Sequence, residues 1–557
     1  MMHSAEKHRL IRSKWWIHGT LAVLLLITMA LTGCSNDSGS EKAAKGTGAE
    51  ATSGKKPSPP AVQTAAAEVD EQPSTVYYEI FVRSFYDTNG DGIGDISGVT
   101  AKLDYLKDLG IGGIWLMPIN PSPSYHGYDV TDYYGIQPQY GTMEDFKKLL
   151  DEAHKRDIKV IMDLVVNHTS NEHPWFKAAA SDKKSRYRDW YTWSKPDQTL
   201  ASDGATGAQP WHKSGDDHYL GIFWEGMPDL NFDHPDVRKE MVKIGQYWLK
   251  QGVDGFRLDA AKHIYEDFKS QGNLPTTKEK NQAWWQEFRK GIEEVHPGAY
   301  LVGEVWDSTA KIGPFLAQAL DSCFNFDLSK TILSTVSSEK ATDIAFNLER
   351  IYSYYAKNSN GAFVDAPFLT NHDMNRTMSE VKGNPDHAKM AASILLTLPG
   401  NPFLYYGEEI GMLGMKPDEQ IREPMVWSTA TAGGAEGQTK WEPLVYNKDM
   451  KQGVAEQVKD SESLYNHYKK LIQWRNAEPA LHEGGIASYK FDNANVLAYQ
   501  RLTAQAKVLV VHNLSKVVQK VALKDDVYKT LALKSKEGVV LNGTSLELPP
   551  YSTVILK

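Results

Sequence analysis

From Val76 onward, short apolar runs alternate with amphipathic segments, and this alternation restricts the fold more than any other feature. The runs have the length of buried strands, whereas the segments between them carry apolar residues at helical spacing. Strands that alternate with helices pair in parallel, and eight of them can close into a (β/α)8 TIM barrel. The eight predicted strands are residues 77–82, 113–117, 159–166, 255–258, 300–305, 323–326, 363–369 and 402–406.

Two stretches depart from this alternation. Residues 169–228 separate the third predicted strand from the next helix, and they are too many for a plain loop. We expect them to form an inserted subdomain over the cleft.

From residue 483 the chain consists of short strand-like pieces between polar turns, which is typical of a small β-sandwich. The predicted domains are therefore a barrel of residues 74–168 and 229–482, the insert 169–228, and a C-terminal β-sandwich domain at 483–557.

The N-terminal residues are typical of an export signal. A positively charged segment precedes the apolar run 21–31, which is short for a membrane span. The run leads to Leu-Thr-Gly-Cys, ending at Cys34, which resembles the bacterial lipobox, in which the Cys becomes the lipidated first residue. We expect a lipoprotein signal peptide at 1–33, a membrane anchor at Cys34 facing the outside of the cell, and a flexible linker at 34–73. An ordinary cleaved signal peptide is the alternative.

Composition limits the class of partner. The net charge of -9 leaves no excess of Lys and Arg to bind phosphates, which argues against nucleic acid. A neutral substrate fits better, and the 15 Trp and 27 Tyr favour sugars, whose apolar C–H faces pack on aromatic rings. After processing, Cys323 would be the one remaining cysteine, so no internal disulfide is expected.

Three carboxylates each follow a predicted strand: Asp259, Glu304 and Asp373. The active sites of TIM barrels lie at the carboxyl ends of the strands, so these acids are expected at one rim. There they could act as acid, base or nucleophile. For any one of them alone, a helix cap or a surface ion pair is the competing interpretation.

A second acidic segment, residues 87–95, carries oxygen side chains at alternate positions among glycines. Hard oxygen ligands of this kind suit Ca²⁺. An EF-hand would also need an acid at the twelfth loop position, which is Gly98, so that type of site is excluded. A solvated Asx-Gly turn is the alternative.

Five motifs occur in order: DLVVNH (163–168), MPDLN (227–231), GFRLDAAKH (255–263), GEVW (303–306) and FLTNHD (368–373). With them the chain resembles the α-amylase family of retaining glycoside hydrolases, from about Ser74 to the C-terminus. The resemblance implies a TIM barrel that acts on α-glucans such as starch and maltooligosaccharides.

The resemblance also implies roles for individual residues. Asp259 would be the nucleophile, Glu304 the general acid and base, and Asp373 a ligand of the distorted sugar at the transition state. Arg257, two residues before Asp259 on the same strand, would face the same way and favour its ionised form. The implied substrate-binding residues are Tyr128, His168, Arg257, Lys262, His263 and His372.

Two positions bear on the mode of cleavage. The pair Lys262 and His263 resembles an acceptor-side subsite and favours cutting within polymers. Relatives that remove single glucoses usually carry an Asp where this chain has Tyr125, which favours an open cleft. Arg422 still resembles the partner of that Asp, so exo action stays open.

The same resemblance implies calcium ligands. The first site would use the side chains of Asp87, Asn89, Asp91 and Asp95 with the carbonyl of Ile93. A second site would use Asn167, Asp229 and the His263 carbonyl, with Asp216 or Asp217 as a further acid from the insert.

These observations predict an exported, lipid-anchored, monomeric α-amylase that hydrolyses α-1,4-glucosidic bonds with retention. The Asp259 and Glu304 carboxyl groups should then lie about 5 to 5.5 Å apart. The alternatives are an α-glucosidase or neopullulanase-like hydrolase, a glycosyl transferase, or a surface lipoprotein that binds glucans without cleaving them.

Overall fold

A computed structural model describes residues 74–429, 436–524 and 526–557. The predicted signal peptide, the predicted anchor at Cys34 and the predicted linker all lie outside the described residues. The strands before the C-terminal region are β1 (Tyr77–Ile80), β2 (Gly113–Leu116), β3 (Lys159–Leu164), β4 (Trp211–Ser214), β5 (Asp217–Leu220), β6 (Gly255–Leu258), β7 (Tyr300–Gly303), β8 (Ser322–Cys323) and β9 (Phe403–Tyr405).

Seven of these strands form one parallel sheet in the order β8-β7-β6-β3-β2-β1-β9. Residues 363–369 complete the ring between its two ends, because Phe324 bridges to Ala366 and Phe368 bridges to Phe403, both in parallel. The predicted TIM barrel is therefore confirmed. The prediction of a regular strand at 363–369 is wrong, since Pro367 in its middle has no N–H to donate to a ladder.

The described ranges contain sixteen α-helices. They are α1 (Val82–Phe85), α2 (Ile96–Ala101), α3 (Leu103–Leu109), α4 (Met143–His154), α5 (Pro174–Ser181), α6 (Pro235–Gln251), α7 (Pro275–Glu293), α8 (Thr309–Ile312), α9 (Phe326–Ser338), α10 (Ile344–Ser359), α11 (Thr377–Glu380), α12 (Pro385–Thr397), α13 (Asp418–Ile421), α14 (Val454–Gln457), α15 (Leu464–Ala477) and α16 (Pro479–His482). None of the helices in the described ranges has the length and apolarity needed to cross a membrane.

Local sequence explains where the long helices begin and end. Thr142 and Asp145 form a capping box that starts α4. Helix α6 begins with Pro235 in its first turn and ends at Gly252, whose φ of 110° is readily adopted by glycine. Such sharp ends return the chain to the next strand and so fix the position of the strand ends.

The range 169–228 contains α5 and the antiparallel hairpin of β4 and β5. The predicted domain boundaries stay predictions. The C-terminal region contains β10 (Gly485–Ser488), β11 (Val496–Leu502), β12 (Lys507–Asn513), β13 (Gln519–Ala522), β14 (Leu531–Lys534), β15 (Val540–Asn542), β16 (Ser545–Leu548) and β17 (Thr553–Leu556).

These last eight strands form two antiparallel sheets, one of five strands and one of three. Leu509 and Val554 from the larger sheet share a buried apolar cluster with Leu546 and Leu548 from the smaller one. Two sheets that bury a common core constitute a β-sandwich, as the sequence predicts for this region.

Candidate active site

Asp259 and Glu304 follow the neighbouring parallel strands β6 and β7, and a single guanidinium contacts both. Arg257 Nη1 lies 2.6 Å from Asp259 Oδ1, and Arg257 Nη2 lies 2.9 Å from Glu304 Oε2. Arg257 is buried within β6. The two carboxylates are therefore held side by side at the rim by a cation with a rigid, planar fork.

Asp163, on β3, is a third acid on the same guanidinium, and the sequence analysis did not single it out. Arg257 Nη1 lies 2.9 Å from its Oδ1, while Trp115 Nε1 and Tyr128 Oη donate to Oδ2 at 3.2 and 3.1 Å. Burial raises the pKa of Asp163 to about 7. Its sequence signal was a charged residue inside an otherwise apolar buried strand.

Asp373 is held by two cationic groups. Arg422 Nη2 lies 2.9 Å from Asp373 Oδ1, and His372 Nε2 lies 3.1 Å from Oδ2. Although burial opposes it, His372 and Arg422 keep the pKa of Asp373 far below its ordinary value. Asp373 is therefore ionised at neutral pH, as a ligand of a cationic transition state requires.

His372 is itself positively charged at neutral pH. Burial disfavours its charge, but Asp373 and the buried Glu79 raise the pKa of His372 to about 9. Its Nε2 also lies 2.6 Å from the hydroxyl of Tyr128, which continues the chain of contacts to Asp163. His372 was predicted from the sequence, whereas Glu79, its anionic partner on β1, was not.

The side chains of Asp259 and Glu304 are largely shielded from water, with 10% and 14% of their surface exposed. Burial raises the pKa of Glu304, and the Arg257 charge opposes this shift. Burial likewise raises the pKa of Asp259, against Arg257 at 2.6 Å. A carboxyl group with a raised pKa can hold a proton near neutral pH and deliver it as a general acid.

The backbone after the nucleophile position adopts an unusual conformation. Ala260 has φ 47° and ψ 38°, in the left-handed region that residues with a Cβ rarely occupy. Its N–H donates to Glu304 Oε2 at 3.1 Å. The strained residue thus adds a second link between the ends of β6 and β7, as is common at functional sites.

The other predicted binding residues lie around this centre. Tyr128 stacks on His372, with ring centroids 5.5 Å apart and planes at 12°. The buried His168 points Nε2 at the Tyr128 carbonyl at 3.2 Å, and burial lowers its pKa to about 4. Lys262 donates to the Trp306 carbonyl at 3.0 Å, while His263 is buried with Nδ1 on the Glu266 carbonyl at 2.9 Å.

The predicted first calcium loop is tightly coiled. Asp87 accepts from the N–H groups of Asn89, Gly90 and Gly92 at 3.1, 2.7 and 2.8 Å. The side-chain oxygens of Asn89 and Asp91 each accept a hydrogen bond, at 2.8 Å, from the backbone N–H two residues further along the chain. The donor set is all oxygen, which fits Ca²⁺. Within the described ranges no three His, Cys, Asp or Glu side chains lie close enough together to hold a metal, so the amide of Asn89 and the carbonyl of Ile93 would be needed.

The second predicted calcium position contains an unpaired buried oxygen. Asp229 Oδ2 accepts from Ile222 N–H at 3.1 Å, whereas its Oδ1 is buried with no hydrogen-bond partner. Burial and the nearby Asp267 raise the pKa of Asp229 well above its ordinary value. Asn167 lies beside this position and donates to the His263 carbonyl at 2.8 Å. A cation at this position would coordinate the unpaired Oδ1 of Asp229 and offset the negative charges of Asp229 and Asp267.

Of the two acids suggested from the insert, Asp216 stays a prediction and Asp217 has other partners. Asp217 is instead paired with Lys183 at 2.9 Å and with Arg188. The acid whose charge acts on Asp229 is Asp267, and burial raises the pKa of Asp267 itself to about 7. Asp267 is thus a second acid beside Asp229 that the sequence analysis did not include.

Together these features define a class of enzyme. A (β/α)8 barrel whose rim presents two buried carboxyl groups on one guanidinium, with a third acid nearby, has the architecture of a glycoside hydrolase. The chain belongs to the α-amylase family: the family model described as alpha amylase, catalytic domain, matches residues 79–484. The model described as the alpha-amylase SusG C-terminal domain matches residues 496–555.

Individual relatives agree with this placement. The chain is 46% identical over 494 residues to alpha-amylase 3 of Dictyoglomus thermophilum, covering 87% of this chain and 93% of that protein. It is 35% identical over 446 residues to a 4-alpha-glucanotransferase of Thermotoga neapolitana, covering 79% and 95%. The crystal structure of an alpha-amylase from H. orenii superimposes with a TM-score of 0.80 at 46% identity, covering 86% and 99%.

Proposed function

We propose that the protein is an α-amylase that cleaves internal α-1,4-glucosidic bonds of starch and maltooligosaccharides with retention of configuration. The observation that carries this proposal is the Arg257 guanidinium, which contacts Asp259 at 2.6 Å and Glu304 at 2.9 Å. It holds a nucleophile and an acid beside each other, as double displacement requires.

The reaction follows from these positions. Asp259 Oδ attacks the anomeric carbon while Glu304 donates its proton to the glycosidic oxygen, and the leaving chain departs with that proton. Glu304, now ionised, removes a proton from water, whose oxygen attacks the anomeric carbon and releases Asp259. Asp373 and His372 contact the sugar ring that becomes positively charged in the transition state. Asp373 stabilises that positive charge because its own carboxylate stays ionised.

The donor side of the site supports cleavage within chains. Tyr125 stacks on Trp441, with centroids 5.2 Å apart and planes at 22°, and the Arg422 guanidinium lies 5.8 Å from the Tyr125 ring. Arg422 forms its ion pairs with Asp373 and Asp418. Position 125 is thus occupied by a tyrosine and not by the Asp that limits the pocket to a single glucose in exo-acting relatives.

Products from maltoheptaose test the activity. We expect a mixture of short maltooligosaccharides at early times, and proton NMR should show that the new reducing ends form first as the α-anomer. The Asp259→Asn variant should fold normally and lose several orders of magnitude in turnover. Glucose as the sole early product would instead establish an exo enzyme, chains longer than the substrate would establish a transferase, and binding without cleavage would overturn the proposal.

We also propose that calcium binds the loop 87–95 and the Asp229 position. The support is the all-oxygen donor set of the loop and the unpaired, buried Oδ1 of Asp229. Chelation should lower the melting temperature, and added Ca²⁺ should restore it. Asp87→Ala and Asp229→Asn should each remove part of that response, so an unchanged response in both variants would contradict the proposal.

Finally, we propose that the enzyme is exported and anchored to the outer face of the cell membrane through lipid on Cys34. The support is the sequence around Cys34, since that cysteine ends a lipobox-like motif. Radiolabelled palmitate should be incorporated by the full-length chain and not by Cys34→Ala, which should be released into the medium. Equal release of both proteins would favour an ordinary cleaved signal peptide.

A further inference from the structure

Asp373 lies in a closed turn, residues 370–377, which we call the Asp373 turn. Thr370 and Thr377 are its two ends, and their Oγ1 atoms lie 3.1 Å apart and share a hydrogen bond. The turn also carries His372, so both groups that contact the sugar ring in the proposed mechanism depend on its position. Whatever fixes the base of the turn therefore affects the reacting centre.

The base of the Asp373 turn is bonded to a glutamate that the mechanism does not use. Thr377 Oγ1 donates to Glu408 Oε2 at 2.9 Å, so Thr370 supplies the hydrogen of the contact between the two threonines. Glu408 is buried, and its Oε1 accepts from Tyr468 Oη at 2.9 Å. Tyr468 is a buried residue of helix α15. Glu408 thus bonds the turn to a long helix of the surrounding structure.

The backbone that carries Glu408 is fixed where β9 ends. Gly407 has φ 79°, and a Cβ at this residue would collide with the Met412 sulfur, so the chain reversal requires glycine. The Glu408 N–H closes the reversal by donating to the Tyr405 carbonyl at 2.9 Å. Because Tyr405 is paired with β1 in the barrel sheet, Glu408 is attached to the barrel itself.

A second link joins the Asp373 turn to the same segment. Arg376 Nη1 donates to the Tyr406 carbonyl at 2.6 Å, and its Nε donates to the Ile421 carbonyl at 2.8 Å. These bonds hold the end of the turn and leave its base to Glu408. Loss of Glu408 should therefore displace the turn partly, without releasing it.

The Glu408 carboxyl group is held largely in its neutral form at neutral pH. Burial raises the pKa of Glu408 to about 8, although hydrogen bonds from Thr377 and Tyr468 oppose the shift. The neighbouring Glu409 adds to the rise, and Arg376 opposes it. A neutral carboxyl group has one donor and one acceptor oxygen, and a Gln amide likewise offers a donor and an acceptor. Gln can therefore preserve both contacts, whereas an apolar side chain cannot.

Glu409 offers a matched comparison within the same segment. It is as deeply buried as Glu408, but it accepts from Tyr78 Oη at 2.7 Å and from the Tyr105 hydroxyl. Those two tyrosines belong to β1 and α3. Within the described ranges Glu409 forms no hydrogen bond to the Asp373 turn. The two adjacent acids thus share their burial and differ in what they hold.

We propose that Glu408 is a positioning residue for Asp373, which it holds in place through the Thr377 hydroxyl at the base of the turn. This inference rests on the proposed α-amylase activity. Asp373 acts on the charge that develops in the transition state, so its displacement should lower kcat more than it changes KM.

The Glu408→Met variant removes both hydrogen bonds with little change in side-chain volume. Its kcat on maltoheptaose should fall about tenfold with KM within about threefold, because a displacement of about 1 Å can cost up to about 10² and Arg376 still holds the turn. On α-maltosyl fluoride, kcat should fall by a similar factor, since Asp373 acts on the sugar that both substrates share. Glu408→Gln should stay within about twofold of the wild type on both.

Two further variants complete the test. Thr377→Val removes only the hydroxyl that connects the turn to Glu408, and it should lower kcat even if Glu408→Met fails to fold. Because both residues act through one contact, the double variant should lose no more than the more damaging single change. Glu409→Met is the matched control, which should lower the melting temperature and leave kcat of the folded enzyme within about twofold.

The outcomes separate the two proposals. If the wild type cleaves neither substrate, the α-amylase proposal fails and this inference fails with it. If the wild type cleaves both, and Thr377→Val keeps the wild-type kcat or Glu409→Met loses as much kcat as Glu408→Met, the α-amylase proposal stands and the positioning role is refuted. Additive losses in the double variant, or a Glu408→Gln variant as impaired as Glu408→Met, would refute it equally.

Discussion

Replacing Arg257 with Lys tests whether one guanidinium organises the active site. Arg257 contacts Asp259, Glu304 and Asp163 at 2.6, 2.9 and 2.9 Å with two of its nitrogens. A Lys ammonium is a single point charge on a flexible stem and cannot span the two catalytic carboxylates. We expect the variant to keep one of the three contacts and lose two.

The size of the effect follows from those lost contacts. A hydrogen bond to a charged group contributes about 1.5 to 3 kcal/mol, so two of them amount to about 3 to 6 kcal/mol. If the two lost hydrogen bonds stabilise the transition state by this amount, kcat/KM on maltoheptaose should fall by about 10² to 10⁴. Because Lys keeps the positive charge among the buried acids, the loss of folding stability should be smaller than for Arg257→Met, where about 3 to 5 kcal/mol is expected.

The assay pairs kinetics with thermal unfolding. Arg501→Lys is the control, because Arg501 is equally buried but donates to backbone carbonyls, including those of Gly485 at 3.1 Å and Thr397 at 2.6 Å. This control should lower the melting temperature and leave kcat/KM of the folded enzyme unchanged. Wild-type kcat/KM in Arg257→Lys would refute the argument that the shared guanidinium positions both carboxylates.

Three other predictions concern proton positions. Glu304→Gln should lower kcat on starch by about 10² to 10⁴ and affect α-maltosyl fluoride less, because fluoride leaves without protonation; equal losses on both substrates would argue against an acid role. Asp163→Asn removes a negative charge beside Arg257, so the pKa of Glu304 should fall and the alkaline limb of the kcat/KM profile should move to lower pH, and a limb that stays in place would contradict this coupling. The pKa of His372 is raised from 6.5 to about 9, so its stabilisation, on the order of 3 kcal/mol, is complete below pH 6.5 and is lost as pH rises through 9. In His372→Gln the melting temperature should lose this alkaline decline, and a decline of equal size in the variant would assign it to another group.

The sequence was sufficient to predict the parts of the site that depend on strand order. Asp259 and Glu304 each follow a short apolar run, and such runs became the neighbouring strands β6 and β7. Arg257 was predicted to face Asp259 because alternate residues of a strand point the same way, and the two side chains do meet. Local pattern determines these contacts, so local pattern predicts them.

Contacts that depend on closure of the barrel were not predictable in this way. Glu79 and His372 are 293 residues apart and meet because closure of the ring brings β1 and residues 363–369 to either side of β9. Asp267 was likewise missed as the neighbour of Asp229, because the path of the insert decides which acid approaches it. The hydrogen bond between Thr377 and Glu408 depends on the same closure, since Thr377 follows residues 363–369, which lie beside β9 in the ring, and Glu408 follows β9.

The charges of the whole site favour retention of a proton among its carboxyl groups. Apart from Asp418, the more exposed ion-pair partner of Arg422, the network described above contains five carboxyl groups and three cationic groups: Glu79, Asp163, Asp259, Glu304 and Asp373 with Arg257, Arg422 and His372. Because acids exceed cations by two in a buried space, full ionisation is unfavourable and at least one carboxyl group should keep a proton near neutral pH. Burial raises the pKa of Asp163 to about 7, and the hydrogen bond it accepts from Arg257 opposes that shift. Glu304 lies at the open rim, where its bound proton faces the glycosidic oxygen. Of the carboxyl groups whose pKa burial raises, Glu304 is the one that the proposed reaction requires to be protonated.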